Sequence, residues 1–159
     1  MHRHETSITL NDLIYAVIPN LNSAEKLVFS TLDSLIEEAT TPLDILKRTE
    51  QRQAFGLEVH RIRINLEHLL NSYRPEVDAI LRSEGEHQGP VVEADHHEAD
   101  AIRSAIDIYQ HVCAFQRGER PHPHLNAKSS WQTFIAQTVT AWHQHCLYNV
   151  AIGLSGLPV

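Results

Sequence analysis

The sequence predicts an all-α fold. It is an up-and-down bundle of four principal helices, with a short N-terminal helix and a short helix after Pro75, in a single helical-bundle domain over residues 1–159. Three observations predict it. Apolar residues recur at three- and four-residue spacing over long stretches. Helix starts are marked by Thr, Asn and Pro followed by acids, and stops by Gly and Pro. The alternation that marks a half-buried strand is missing except in one ambiguous segment near the N-terminus.

Thr9 followed by Asp12 has capping-box spacing and predicts a short helix over about 10–18, ended by Pro19. The run Leu13-Ile14-Tyr15-Ala16-Val17-Ile18 inside it also reads as a strand. Asn22 and Glu25 form a second box-like start. The stripe that follows is Ala24, Leu27, Val28, Thr31, Leu32 and Leu35, and the helix stops at Thr40.

Thr41-Pro42-Leu43-Asp44 is the strongest local signal in the chain. Thr41 can cap, Pro42 suits the first helical position, and Asp44 lies in the positive first turn. The helix it opens runs to about Ser72, a length of about 46 Å at 1.5 Å per residue. Its main stripe is Phe55, Val59, Ile62, Leu66, Leu69, Leu70 and Tyr73. Pro75 should break or kink it, and a short helix from Pro75 to about Ser83 adds Val77, Ile80 and Leu81.

Residues 85–92 read as a loop by their glycines and proline. A helix from about Glu93 to Arg117 turns Ile102, Ala105, Ile106, Tyr109 and Cys113 inward. Residues 118–126 are again loop. The last helix, about 127–154, packs Trp131, Ile135, Val139, Trp142, Cys146 and Val150.

Composition bounds the function without naming it. At 159 residues, folding buries roughly 68–70% of the unfolded surface, enough for a core without metal or disulfide staples. Apolar residues at 42% and charged residues at 21% exclude a disordered tail and a membrane protein. Cys113 and Cys146 are too few for a disulfide scaffold and read as reduced core residues. The N-terminal dozen residues carry no apolar run of signal-peptide type, so a cytosolic location is expected. A net charge of −7 argues against non-specific nucleic-acid binding, which needs cations to neutralise phosphate. The unusual count is 12 histidines; with all of them protonated the formal charge becomes +5. A pH-responsive surface would show as a change in self-association between about pH 5.5 and 7.5.

Two constellations could carry function. On the reverse side of the long helix, Leu57, His60, Ile64, His68 and Asn71 form a second stripe opposite the core stripe. Leu57 and Ile64 do not belong on a solvated face, so another helix or another subunit is expected to cover them. This predicts an interaction or regulatory protein, with a protein partner or a homodimer. His60 and His68 then read either as packed interface residues or as ligands in a polar patch.

The second constellation is a metal set. His97, Asp100, Ser104, Asp107 and His111 project from one side of the 93–117 helix, and His96–Asp100 and Asp107–His111 have the spacing at which two side chains share a cation. His60, His68, His97, Asp100, Asp107, His111 and His145 then make an alternative function: a histidine/carboxylate bundle binding Zn, Fe, Ni or Mn, possibly an enzyme. His143 and His145 flank Trp142 on the last helix. The competing reading is a solvated acidic face, with acids at the positive end of the helix dipole. His122 and His124 fall in a Pro-rich loop, where metal binding would be adventitious.

Glu93-Ala94-Asp95-His96 has the Glu-x-x-His spacing of di-iron carboxylate bundles; its only repeat, Glu84-Gly85-Glu86-His87, lies in a predicted loop. Arg63-Ile64-Asn65-Leu66-Glu67-His68 resembles the Arg-x4-His RNase motif of HEPN-type helical toxins. That resemblance implies phosphate binding and general acid–base roles for Arg63 and His68 across a dimer. It covers six residues, has Ile64 where the family carries a polar residue, and falls mid-helix, so no family is assigned on it. No Gly-rich phosphate loop, HExxH, paired CxxC or GxSxG is present. No catalytic residue is therefore nominated.

Overall fold

A computed structural model describes residues 7–117, the side chain of Phe115 excepted. Among these residues the chain is helical and contains no strand, only an isolated bridge between Thr9 and Val91. In order, α1 is Leu10–Asp12, a π turn covers Leu13–Val17, α2 is Ile18–Glu38, α3 is Pro42–Ser72, α4 is Arg74–Arg82 and α5 is His96–Gln116. The all-α class is as predicted. The loop predicted at 118–126 and the helix at 127–154 lie outside the described residues.

The Thr9 box forms: Thr9 Oγ1 accepts from the Asp12 N–H, and Asp12 Oδ2 accepts from the Thr9 N–H. Pro19 does not end the helix it starts. The Ile18 N–H bonds to Leu13 O, five residues back, so the backbone widens into a π turn and then re-enters α2. A wide turn leaves one carbonyl outside the ladder, and proline, with no N–H, is the residue that needs none. Asn22 and Glu25 are likewise not a helix start. They lie within α2 and receive Arg63, whose Nη2 donates to Asn22 Oδ1 at 2.8 Å and pairs with Glu25 Oε2.

The α3 start is as predicted. Thr41 Oγ1 accepts from the Asp44 N–H at 3.1 Å and donates to Asp44 Oδ2 at 2.6 Å. The helix then runs for 31 residues. As predicted, the long helix stops short of Pro75, at Ser72, and Pro75 lies in the first turn of the short α4, where a proline removes an N–H that has no helical partner. The end of α4 is a Schellman motif: Gly85 N–H bonds to Ile80 O and Glu84 N–H to Leu81 O. The left-handed position of that motif is occupied by Glu84, at φ 52°. A side chain there costs about 1–2 kcal/mol. Glu84→Gly should therefore raise stability by about 0.5–1 kcal/mol, since glycine loses entropy in exchange. Thermal unfolding should read this as a rise of about 2–4 °C per kcal/mol.

The contacts divide the chain into two units. Among the described residues, the first joins 7–25 to Val59–Tyr109, and the second joins Lys26–Glu58 to 110–117. The core of the first includes Leu10, Leu13, Leu21, Ile62, Leu69, Ile80 and Ile108, all essentially solvent-free. The stretch after α4 is tied to the N-terminus. Leu10 N–H bonds to Pro90 O, Val92 N–H to Ile8 O, and Asn11 Nδ2 donates to the carbonyls of Gly85 and His87. Gly89 sits there at φ 68°, and a Cβ would come within 2.6 Å of Ile80 Cδ1.

The inward face of α5 differs from the predicted one. In the first unit Ala101, Ser104, Ala105 and Ile108 are buried with Ile102, whereas Ile106 and Tyr109 are half-buried. Ser104, read from the sequence as part of the polar outer side, is an inward residue. The inward face thus carries the small side chains at 101, 104 and 105 rather than the larger Ile106 and Tyr109 one step around the helix.

In the second unit the core holds Val28, Leu32 and Phe55. Phe29 meets Phe55 edge to face at 5.5 Å, and the Arg52 guanidinium lies 4.7 Å from the Phe29 centroid while bonding to Asp33. Leu43, Ile45 and Leu46, in the first turns of α3, are exposed, and Cys113 is a half-buried free thiol. Among the described residues no helix is long and apolar enough to cross a membrane.

Candidate functional site

The site is built in the first unit from the C-terminal part of α3 and the start of α5. Asp95 caps α5: its Oδ1 accepts from the Glu98 N–H at 2.8 Å, and Glu98 Oε2 accepts from the Asp95 N–H at 2.9 Å. This reciprocal pair is a capping box with acids at both positions, and it satisfies helix-end donors that would otherwise be orphaned. The helix thus begins at His96, not at Glu93. Glu93 lies before it, with its N–H held by the Tyr73 hydroxyl at 3.0 Å. Glu93 and His96 are therefore not on successive turns of one helix, and the di-iron-like spacing has no helical meaning here.

The same Glu98 is buried, 5% exposed, and its second oxygen lies 2.6 Å from His68 Nδ1 on α3. His68, Asp95 and Glu98 each offer a ligand atom within 4.8 Å of the others. Further along α5, Arg61 donates to Asp100 Oδ2 at 3.2 Å and to Ser104 Oγ at 3.4 Å. Arg61 and His68 share one side of α3, which explains how both reach α5.

The hydrogen bond from the His68 ring to the Glu98 carboxylate, reinforced by its charge, raises the His68 pKa above the ordinary imidazole value. The Glu98 N–H holds the Asp95 carboxyl below its usual range, with His97 contributing in the same direction. In chelator-treated protein, NMR should show His68 titrating above about 6.5, and Glu98→Gln should return it toward that value. The sign follows from linkage. A raised folded value means the pair stabilises the fold below the ordinary imidazole pKa, and that contribution fades as pH rises through the raised one.

The structure divides the residues singled out from the sequence. Of the second stripe on α3, Leu57, His60, Ile64 and Asn71 are exposed, with Leu57 at 71% and Ile64 at 52%. His68, at the edge of that stripe, pairs with Glu98 instead. Of the metal set, only His68 belongs to the three-residue cluster. His97 stacks edge to face on His96, and Asp100 is paired with Arg61 and Arg103. His60, Asp107 and His111 are not in the cluster, and His145 lies outside the described residues. Arg63 and His68, the pair of the toxin-like spacing, engage different elements: Arg63 reaches Asn22 and Glu25 on α2, His68 reaches Glu98 on α5.

Asp95, Glu98 and Arg61 escaped the sequence reading. Asp95-His96-His97-Glu98 does carry capping-box spacing, so the first two had a legible signal; Arg61 had none. The class of protein defined by these observations is an all-α chain with a histidine–carboxylate cluster between two helices and an exposed apolar stripe. Comparison with family models, with curated proteins and with solved structures gives no match.

Proposed function

We propose that this chain is a cytosolic interaction or regulatory protein, built as an up-and-down bundle of four principal helices. It would act by presenting the outer stripe of α3 to a protein partner, in the simplest case a second copy of itself. What carries the reading is Ile64, half-exposed on the side of α3 opposite the buried Val59, Ile62, Leu66 and Leu69. Leu57, two turns earlier on the same helix, is more exposed still. Covering a Leu or Ile side chain fully is worth about 1.5–3 kcal/mol, so Ile64, with the exposed polar His60 and Asn71 along the same side of the helix, has the makings of a contact centre with polar flanks.

Ile64→Asp and Leu57→Asp test it. Sedimentation velocity and partner capture should show the association of the parent chain lost in each variant, with the helical circular dichroism of the parent retained. A parent chain that is monomeric and captures no partner overturns the proposal. So does an association that both variants leave unchanged.

A further inference from the structure

We propose that His68, Asp95 and Glu98 form a binding site for one first-row divalent cation. The site shares His68, and no other residue, with the α3 stripe and with the metal set suggested by sequence spacing. Its donor set is one imidazole nitrogen and two carboxylates, the combination that suits zinc, iron, nickel or manganese; calcium and magnesium are served by oxygen alone.

The geometry is close to what an ion needs. A tetrahedral ion with bonds of about 2.0–2.2 Å sets its ligand atoms about 3.4 Å apart. The His68 and Glu98 atoms stand at 2.6 Å, and no pair in the cluster exceeds 4.8 Å. Side-chain shifts of about 1.5 Å or less therefore suffice. The ion takes the place of the hydrogen between His68 Nδ1 and Glu98 Oε1, and that proton passes to solvent.

The carboxylates are held in place before an ion arrives. Asp95 is fixed through Oδ1 and Glu98 through Oε2 by the capping box, and a carboxylate has about four lone-pair sites, so both can accept a backbone N–H and still ligate. Glu98 is buried while His68 is exposed, which places the cluster at the surface with one side open. Three protein donors leave a further position to water, as in zinc sites that act on a ligand rather than only brace a fold.

Because the cap tolerates amides, ligation can be separated from folding. Asparagine is as good an N-cap as aspartate, and glutamine replaces glutamate in a capping box. The experiment uses the full chain, untagged and stripped with chelator, titrated with Zn2+ by calorimetry and with Co2+ by visible absorption. One tight equivalent is expected, with the His68 ring resonances shifting as it binds. Asp95→Asn, Glu98→Gln and His68→Ala should each weaken it at least tenfold, while their far-ultraviolet circular dichroism stays that of the parent. His122→Ala/His124→Ala should bind as the parent does. The proposal is overturned by a parent chain that takes up no stoichiometric ion. It is equally overturned by retention of affinity in all three site variants, or by its loss in the loop variant, since the ion would then be adventitious.

Discussion

Phe55→Ala is expected to lower stability by about 3–5 kcal/mol, read as a shift in the denaturation midpoint at unchanged slope. Among the described residues Phe55 is the largest of the fully buried side chains, and its ring meets Phe29 edge to face at an interplanar angle of 77°. Truncation removes the transfer free energy of the ring and leaves a cavity. It also removes the ring pairing, worth about 0.5–1.5 kcal/mol. Phe29 would keep the Arg52 guanidinium over its ring but lose the wall behind it. A chain with about 5–15 kcal/mol in total could be unfolded by this change. Phe55→Leu, expected at under half the cost, keeps the measurement possible. A loss of less than about 1 kcal/mol for the alanine variant would mean that Phe55 is not packed as described.

Asn11→Asp is expected to cost about 3 kcal/mol at neutral pH, although it changes one side-chain NH2 to oxygen. The Asn11 amide donates one hydrogen to Gly85 O and one to His87 O, each at 2.9 Å, from a position that is 9% exposed. A carboxylate of the same shape donates neither. Two carbonyls lose their donor, each at about 1–3 kcal/mol if buried, and face a negative charge. The sign of the pH dependence is opposite to that of an ordinary stabilising acid. The introduced carboxyl has its folded pKa raised above about 3.9, so the variant should regain stability as pH falls through the raised value and a proton supplies one donor. Denaturation at several pH values checks this; an equal loss at all of them would show that the amide hydrogens are not what holds the loop.

Several elements were legible because their signals act within one helical turn. Thr41, Pro42 and Asp44 mark the α3 start with a side-chain cap, a preset φ and a charge at the dipole end. Pro75 marks α4 for the same reason. The buried side of α3, with Phe55, Val59, Ile62, Leu66 and Leu69, follows from its period. Where local signals compete, the outcome was not legible. Glu93, Asp95 and Glu98 all suit a helix start, and the backbone held by the Tyr73 hydroxyl at Glu93 leaves Asp95 as the cap. Pro19 reads as a stop on its own, yet the π turn before it absorbs the missing donor.

The candidate site was legible only in its ingredients. Periodicity gives the angle of a residue around its own helix, so His68 could be placed near Ile64 and Asp100 near His97. It does not give which helix lies beside that angle, or at what height. His68 and Glu98 are 30 residues apart in the chain, and their 2.6 Å contact arises only once the fold brings α3 and the start of α5 together.

By itself, then, the sequence determined the helical class, the start of α3, the start of α4 at Pro75, and the abundance of imidazole. Each of these rests on forces that operate within a few residues. Only the tertiary structure decided which face of α5 turns inward, and that Ser104 and Glu98 are buried. It also separated His68, set against carboxylates, from His60 two turns earlier on the same helix, which is not in the cluster. Those outcomes depend on the summed packing of a whole core, where no single residue carries enough energy to announce the result in advance.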